Sequence, residues 1–382
     1  MSLDSSPEEP GSDVPLPTDP NKRRSVLMAA AEMKLVFMED KQRRFLFDSL
    51  IGAGENGLAC KITQLSQGNK PERQFVVKQA IGRERDASMD HEIAILKRLR
   101  GMRHIVQIND IMNMPLLLYN KKQTLVLEYL PNGTLWNFIL RAIKADRPLP
   151  NRLLWRLFSC LLRFVIALAW PDNNPQEILL WDVPMSGLVH NDMHLNNVMI
   201  GELDDDEHRL APILKLIDFG LAVEGAKGQM LLESSPAIAS NINVIGKVMH
   251  ALATGIPGYP GSGNTRTLTI NLFGESMTLE TNGSQLAGGS FPWVDDVLRN
   301  TIMWCLGTQW RALPSLDKLA AIVDGQLALR TAESYRGTPA EAAESDEAVF
   351  RYSTEVLLQP PPDFLDASPP PTLFSEMDYD MD

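Results

Sequence analysis

Long hydrophobic runs are missing from this 382-residue chain. Its most apolar stretch, Phe164 to Trp170, is seven residues between Arg163 and Pro171, far short of the roughly 20 that a membrane-spanning helix needs. Cysteine is scarce. Cys60, Cys160 and Cys305 are odd in number and far apart, so they make neither a disulfide framework nor a zinc spacing, and a reducing intracellular compartment is the expectation. A secretory signal is not expected, because the first apolar run, Val26 to Ala31, is short and follows a polar, proline-rich stretch. An excess of basic residues is missing too. The chain carries 36 basic and 48 acidic side chains, a formal net charge of -12. Residues 1–24 hold five acids and three bases, residues 331–382 hold twelve and two, and residues 25–330 hold 31 of each. The core is therefore neutral and the electrostatic footprint of a nucleic-acid binder is absent. No period of a solenoid repeat is found. These absences argue against membrane and nucleic-acid partners and for a cytoplasmic or nuclear protein that is not secreted.

What remains is a chain with 44% hydrophobic and 22% charged residues, too apolar to be disordered as a whole and long enough for one large domain or two lobes. Residues 1–24 read as a disordered tail, and 25–39 have helical spacing. FLFDSLIG, LACKITQL and QFVVKQA are strand-like, with turn signals between them. Asp86–Leu99 is helical, with apolar residues at Ile93, Leu96 and Leu99. MPLLLYN and TLVLEYL read as two further strands. From residue 132 helices dominate. The clearest, Leu153–Trp170, is apolar on most faces and predicted to be buried. LVHND, NVMIG and ILKLID are short strands, with Asp204–Glu207 at a hairpin tip. Helical patterns return at Asn241–Ala253, Trp293–Leu306 and Leu316–Arg330, with an inserted loop or hairpin across 256–292. Residues 331–382 read as an acidic, disordered tail. Strands plus one helix, followed by helices plus a few strands, predict an α+β chain of two unlike lobes, 25–130 and 131–330.

Several positions carry chemistry. Gly52, Gly54 and Gly57 make a G-x-G-x-x-G pattern followed by an alternating strand, which suits a strand-turn-strand loop over phosphates better than a dinucleotide fingerprint, although an ordinary turn fits equally well. Lys78 ends QFVVK. Glu92 stands fourteen residues later on a helix, where it could hold the Lys78 ammonium at a nucleotide phosphate. LVHNDMHLNNVMI and LKLIDFGLA then follow. Together, these motifs resemble a eukaryotic-type protein kinase, nearest in character to divergent fungal forms, over roughly residues 45–325. The resemblance implies a bilobal fold, with a small β-rich N-lobe and a larger helical C-lobe.

It also implies ATP and Mg²⁺ as the nucleotide and metal. Asp192 would be the catalytic base, with Lys78 and His194 beside the transferred phosphate. Gly52, Gly54, Gly57, Lys78, Glu92, Glu128 and Leu130 would bind ATP, and Asn197 and Asp218 would hold the metal. Leu127 would be the gatekeeper, His190 and Phe219 would stack, and Arg311 would match an arginine of the C-terminal half. The chain departs from the family at Asn191, His194 and Asn241, where the family usually has Arg, Lys or Arg, and Asp. No A-P-E follows D-F-G. With Asn191 unable to clamp a phosphate, activity is expected not to depend on phosphorylation at Ser234 or Ser235. Three readings follow: a Ser/Thr-directed protein kinase of unidentified substrate, a nucleotide-binding pseudokinase scaffold, and a small-molecule kinase of the same fold.

Overall fold

The computed structural model describes residues 16–54, 57–66, 68, 71–81, 86–111, 114–119, 123–172, 174–225, 235–261, 263 and 265–358. The first helix, α1 (Pro20–Met38), begins inside the segment expected to be a disordered tail. Asp19 caps it, accepting from Asn21 N at 2.8 Å, and Pro20 takes the first position, where no N–H is needed. Burial explains why the polar start does not fray: Val26, Ala29, Ala30, Met33 and Phe37 recur at helical spacing and are all buried.

They pack against an antiparallel sheet of four strands in the order β1 (Phe45–Gly54), β2 (Gly57–Gln64), β3 (Arg73–Gln79) and β4 (Thr124–Glu128). Between β3 and β4 lie α2 (Asp86–Arg98) and α3 (Pro115–Tyr119). Strand alternation splits the sheet between two cores. Phe75, Val77 and Val126 join α1, whereas Val76, Leu125 and Leu127 face the larger core. MPLLLYN, expected to be a strand, supplies α3 instead. Pro115 opens that helix and Met114 and Leu116 are buried with α1. An apolar run of five residues has no readable period, so packing decides its conformation.

The remainder is mostly helical. α4 (Leu135–Lys144) starts with a capping box between Thr134 and Asn137. α5 (Asn151–Ala169) is buried along almost its whole length. Next come β5 (Leu188–Val189), β6 (Val198–Asp204), β7 (His208–Leu216), β8 (Val223–Glu224), α6 (Pro236–Thr254), β9 (Arg266–Leu272), β10 (Glu275–Thr281), α7 (Asp296–Cys305), α8 (Leu316–Leu329) and α9 (Asp346–Tyr352). β5 pairs with β8, β6 with β7 and β9 with β10, all antiparallel. The hairpin expected within 256–292 is β9–β10, and Asp204–Glu207 turn between β6 and β7.

The expectation of a disordered tail from residue 331 is corrected as far as residue 358. The N-terminus of α5 follows Pro150, which has no side-chain donor or acceptor and leaves the helix uncapped. Glu344 supplies the missing cap from far along the chain. Its carboxylate accepts from Asn151 N at 2.5 Å, Arg152 N at 3.0 Å and Asn151 Nδ2 at 3.1 Å. Arg152 in turn donates to the Glu344 carbonyl at 2.6 Å and to Asp346 at 2.5 Å. Val349, Tyr352, Val356 and Leu357 are buried in the main core, and Arg141 of α4 donates to the carbonyl of Val356 at 2.8 Å. The acidic average of this segment conceals two carboxylates with structural tasks, Glu344 and Asp346, and four apolar anchors. Residues 359–382, the rest of the expected tail, and 1–15 lie outside the described residues. No helix among the described residues is long and apolar enough to cross a membrane.

Candidate active site

Lys78 leaves β3 opposite Leu125 of β4, and its ammonium is shared between two carboxylates from distant segments. Nζ donates to Glu92 Oε2 of α2 at 2.8 Å and to Asp218 Oδ1 at 2.7 Å. Glu92 is 2% exposed, so this ion pair is what makes its burial tolerable. Burial acts to lower the Lys78 pKa, but Glu92 and Asp218 outweigh it and hold the ammonium above the ordinary lysine range. Burial likewise acts to raise Asp218, and Lys78 reverses it, leaving that carboxylate below its ordinary value. Asp218 sits at φ 63°, a left-handed conformation that a non-glycine residue adopts at a cost.

α2 is fastened where Glu92 needs it. His91 Nε2 is 2.6 Å from the Ala222 carbonyl and Ser88 donates to that of Gly220 at 3.4 Å. Arg98 reaches Asp172 at 2.9 Å and Glu224 at 2.9 Å. These ties were not visible in the sequence, because their partners lie in segments with no periodic signal.

The second half of the cluster is the loop after β5. Asn197 Nδ2 donates to the Asp192 carbonyl at 2.8 Å and to Asp192 Oδ2 at 2.9 Å. His194 Nε2 lies 3.5 Å from Asp192 Oδ1. Burial first, and then the nearby Asp218 charge, push the Asp192 carboxyl above the ordinary aspartate range, so the two carboxylates act on each other through space. Ile217 N donates to the Asn197 carbonyl at 3.0 Å, which joins the 192–197 loop directly to the residue before Asp218. With Nδ2 committed to Asp192, the Asn197 amide oxygen and the partly exposed Asp218 carboxylate are hard oxygen donors of the kind Mg²⁺ takes.

Supports lie beneath. His190 is fully buried. Its Nδ1 accepts from Asp192 N at 3.3 Å and its Nε2 donates to the Ile217 carbonyl at 3.0 Å. Burial pushes the imidazole down to about 4, and the neutral Nε2–H tautomer satisfies both contacts. Phe219 packs edge-on against it at 4.8 Å. Asn241 of α6 donates to the Leu188 carbonyl at 2.9 Å and accepts from His190 N at 3.4 Å, a two-way contact that suits an amide. Tyr259, missed in the sequence for lack of any motif around it, accepts from Leu195 N at 3.1 Å and steadies the same loop.

Glu128 ends β4, where its Oε1 accepts from Lys215 at 2.7 Å and from Gln107 N at 2.8 Å, and its own N–H donates to the Gln107 carbonyl at 3.0 Å. Leu127 and Leu130 are buried. Arg311 lies over the Trp310 ring at 4.2 Å. Ser234 lies outside the described residues, and Ser235 is buried with its hydroxyl capping Ile238 N of α6 at 3.2 Å. Gly54 pairs with Gly57 across the β1–β2 turn, of which Glu55 and Asn56 lie outside the described residues, and Gly52 pairs with Ala59.

Gly57 is constrained by packing as well as by any ligand. Its φ is 146°, and a Cβ there would stand 2.2 Å from the Gln79 carbonyl oxygen. Gly57→Ala should therefore lower stability by about 2 kcal/mol, read from the urea midpoint, whereas Gly52→Ala, with only an ordinary contact to Ala59, should change it little. Equal effects of the two would show that the β2–β3 approach is looser than described. No family model matches this chain, and no curated protein matches it.

Proposed function

We propose that this chain is an ATP-dependent phosphotransferase of the protein-kinase type, bilobal in fold and directed to serine or threonine hydroxyls. The observation that carries the proposal is the bridging of Glu92 and Asp218 by Lys78, 140 positions apart in the second case, beside an Asp192 held by Asn197. An ammonium so held is a fixed counter-charge for a phosphate. Phosphoryl transfer runs through a loose transition state, and positioning and charge neutralisation do most of the work.

In this reading Lys78 grips the α/β-phosphates and Glu92 keeps it in place. Gly52, Gly54 and Gly57 lie over the phosphates, and the backbone of Glu128 and Leu130 meets the adenine. Asp192 orients the acceptor hydroxyl and takes its proton, and its raised pKa suits a base that must also release that proton. His194, 3.5 Å away, can donate to the transferred group. Asn197 and Asp218 would hold Mg²⁺, which supplies positive charge at the phosphate oxygens.

Thermal unfolding with Mg-ATP tests the binding half. At ligand near 100 times its dissociation constant the folded state should gain about 2.7 kcal/mol. A folded protein showing no shift with saturating Mg-ATP would end this reading. A shift without phosphate transfer to any acceptor would favour a nucleotide-binding scaffold.

A further inference from the structure

α6 presents a polar row that its surroundings answer only at the two ends. Asn243, Lys247, His250 and Thr254 recur at intervals of four, three and four residues and so share one face of the helix. That face lies about 150° around the helix from Asn241, which serves the 188–190 segment. The two ends of the row are satisfied. Asn243 Nδ2 donates to the Cys305 carbonyl at 3.1 Å, and Thr254 Oγ1 donates to the His250 carbonyl at 2.7 Å.

The two middle members are not. His250 is 1% exposed, and neither of its ring nitrogens has a hydrogen-bond partner among the described residues. Lys247 is half-buried and has no ion pair or hydrogen bond among the described residues. Burial pushes its ammonium below the ordinary lysine range, with no carboxylate among the described residues near enough to oppose the shift. Burial also holds the His250 imidazole down to about 4, so it is neutral at pH 7 and carries one N–H. An unpaired cation and an orphaned buried imidazole each cost stability, and two together on one face of a helix whose Asn241, Asn243 and Thr254 side chains are satisfied call for a missing partner.

We propose that this face of α6 binds a carboxylate, with the Lys247 ammonium as counter-charge and the His250 N–H as a hydrogen-bond donor. One cation and one neutral donor match a monoanion. A phosphate dianion would call for at least a second cation or an arginine fork. The same group can come from a small free carboxylate or from an acidic peptide. Residues 359–382, which hold six acids and no base, are such a peptide in this chain.

The test uses the full-length protein, reductively methylated with ¹³C-formaldehyde. The Lys247 signal is identified by its absence in Lys247→Arg. Its titration midpoint is read in dilute buffer, then with sodium acetate, sodium phosphate and sodium chloride at matched ionic strength. A midpoint that starts low and is raised saturably by acetate, by about one pH unit, supports a site for a small carboxylate. The acetate response should weaken severalfold in His250→Phe, which keeps the ring volume. A midpoint that starts high and falls when the six acids of residues 359–382 are changed to amides supports the site and identifies the chain's own acids as its source. The proposal is overturned if phosphate acts more strongly than acetate, or if amidation leaves the midpoint unmoved and acetate acts no more strongly than chloride on wild type and amidated chain alike.

Discussion

Asp192→Asn is expected to leave Mg-ATP affinity nearly unchanged and to reduce phosphate transfer roughly 10²–10⁴-fold. Asparagine keeps the size of the side chain and can still accept from Asn197, whose Nδ2 now donates to Asp192 Oδ2 at 2.9 Å. It cannot take a proton. Lys78→Met should behave differently. It removes the shared partner of Glu92 and Asp218 together, leaving a carboxylate that is 2% exposed without a counter-charge. Binding and stability should therefore both fall. Calorimetric titration with Mg-ATP, paired with a single-turnover transfer assay, separates the two. Transfer that survives Asp192→Asn would show that Asp192 is not the base. Phosphatase treatment is an informative companion. Glu92 is held in place through α2 by Arg98, His91 and Ser88 without any phosphate, so activity should be unchanged by it. Ser235→Ala is a poor probe of that question, because it removes a helix cap.

Glu344→Ala should lower stability by about 3 kcal/mol, measured as a fall in the urea midpoint. The carboxylate meets three donors at the start of α5, two of them backbone N–H groups. Alanine leaves them buried and unpaired, and each such group costs about 1–3 kcal/mol, while loss of a helix cap alone costs about 1 kcal/mol. Glu344→Gln, which keeps one acceptor oxygen, should fall between wild type and Ala. Glu347→Ala is the control, since the Glu347 carboxylate is exposed and, among the described residues, pairs only with the neighbouring Arg351. If Glu344→Ala unfolds at the wild-type midpoint, residues 331–358 are not integral to the fold and behave as a loose tail.

The contrast between these two sites shows what kind of information each level held. The sequence by itself determined the strands and helices whose period is long and regular. β1 to β4 other than α3's neighbourhood, the buried α5, and the hairpins β6–β7 and β9–β10 fall where alternation, apolar spacing and turn residues place them. It also marked the candidate residues by type and order: three glycines, Lys78, Glu92, Asp192, Asn197 and Asp218. Tertiary structure alone decided which of them meet. Lys78 reaches Glu92 and Asp218 because β3, α2 and the segment after β7 pack around one point, a fact about distance that no local window contains. It decided that MPLLLYN coils into α3, since five apolar residues suit helix and strand equally and burial against α1 breaks the tie. It also folded residues 331–358, whose acidic average outweighs their anchors in any compositional reading. The value of Glu344 comes from an uncapped helix nearly two hundred positions away, and that of Lys247 from the lack of a nearby carboxylate among the described residues. Local sequence carries propensity and period. The energy of a buried polar group depends on what lies across from it, and only the folded chain determines that.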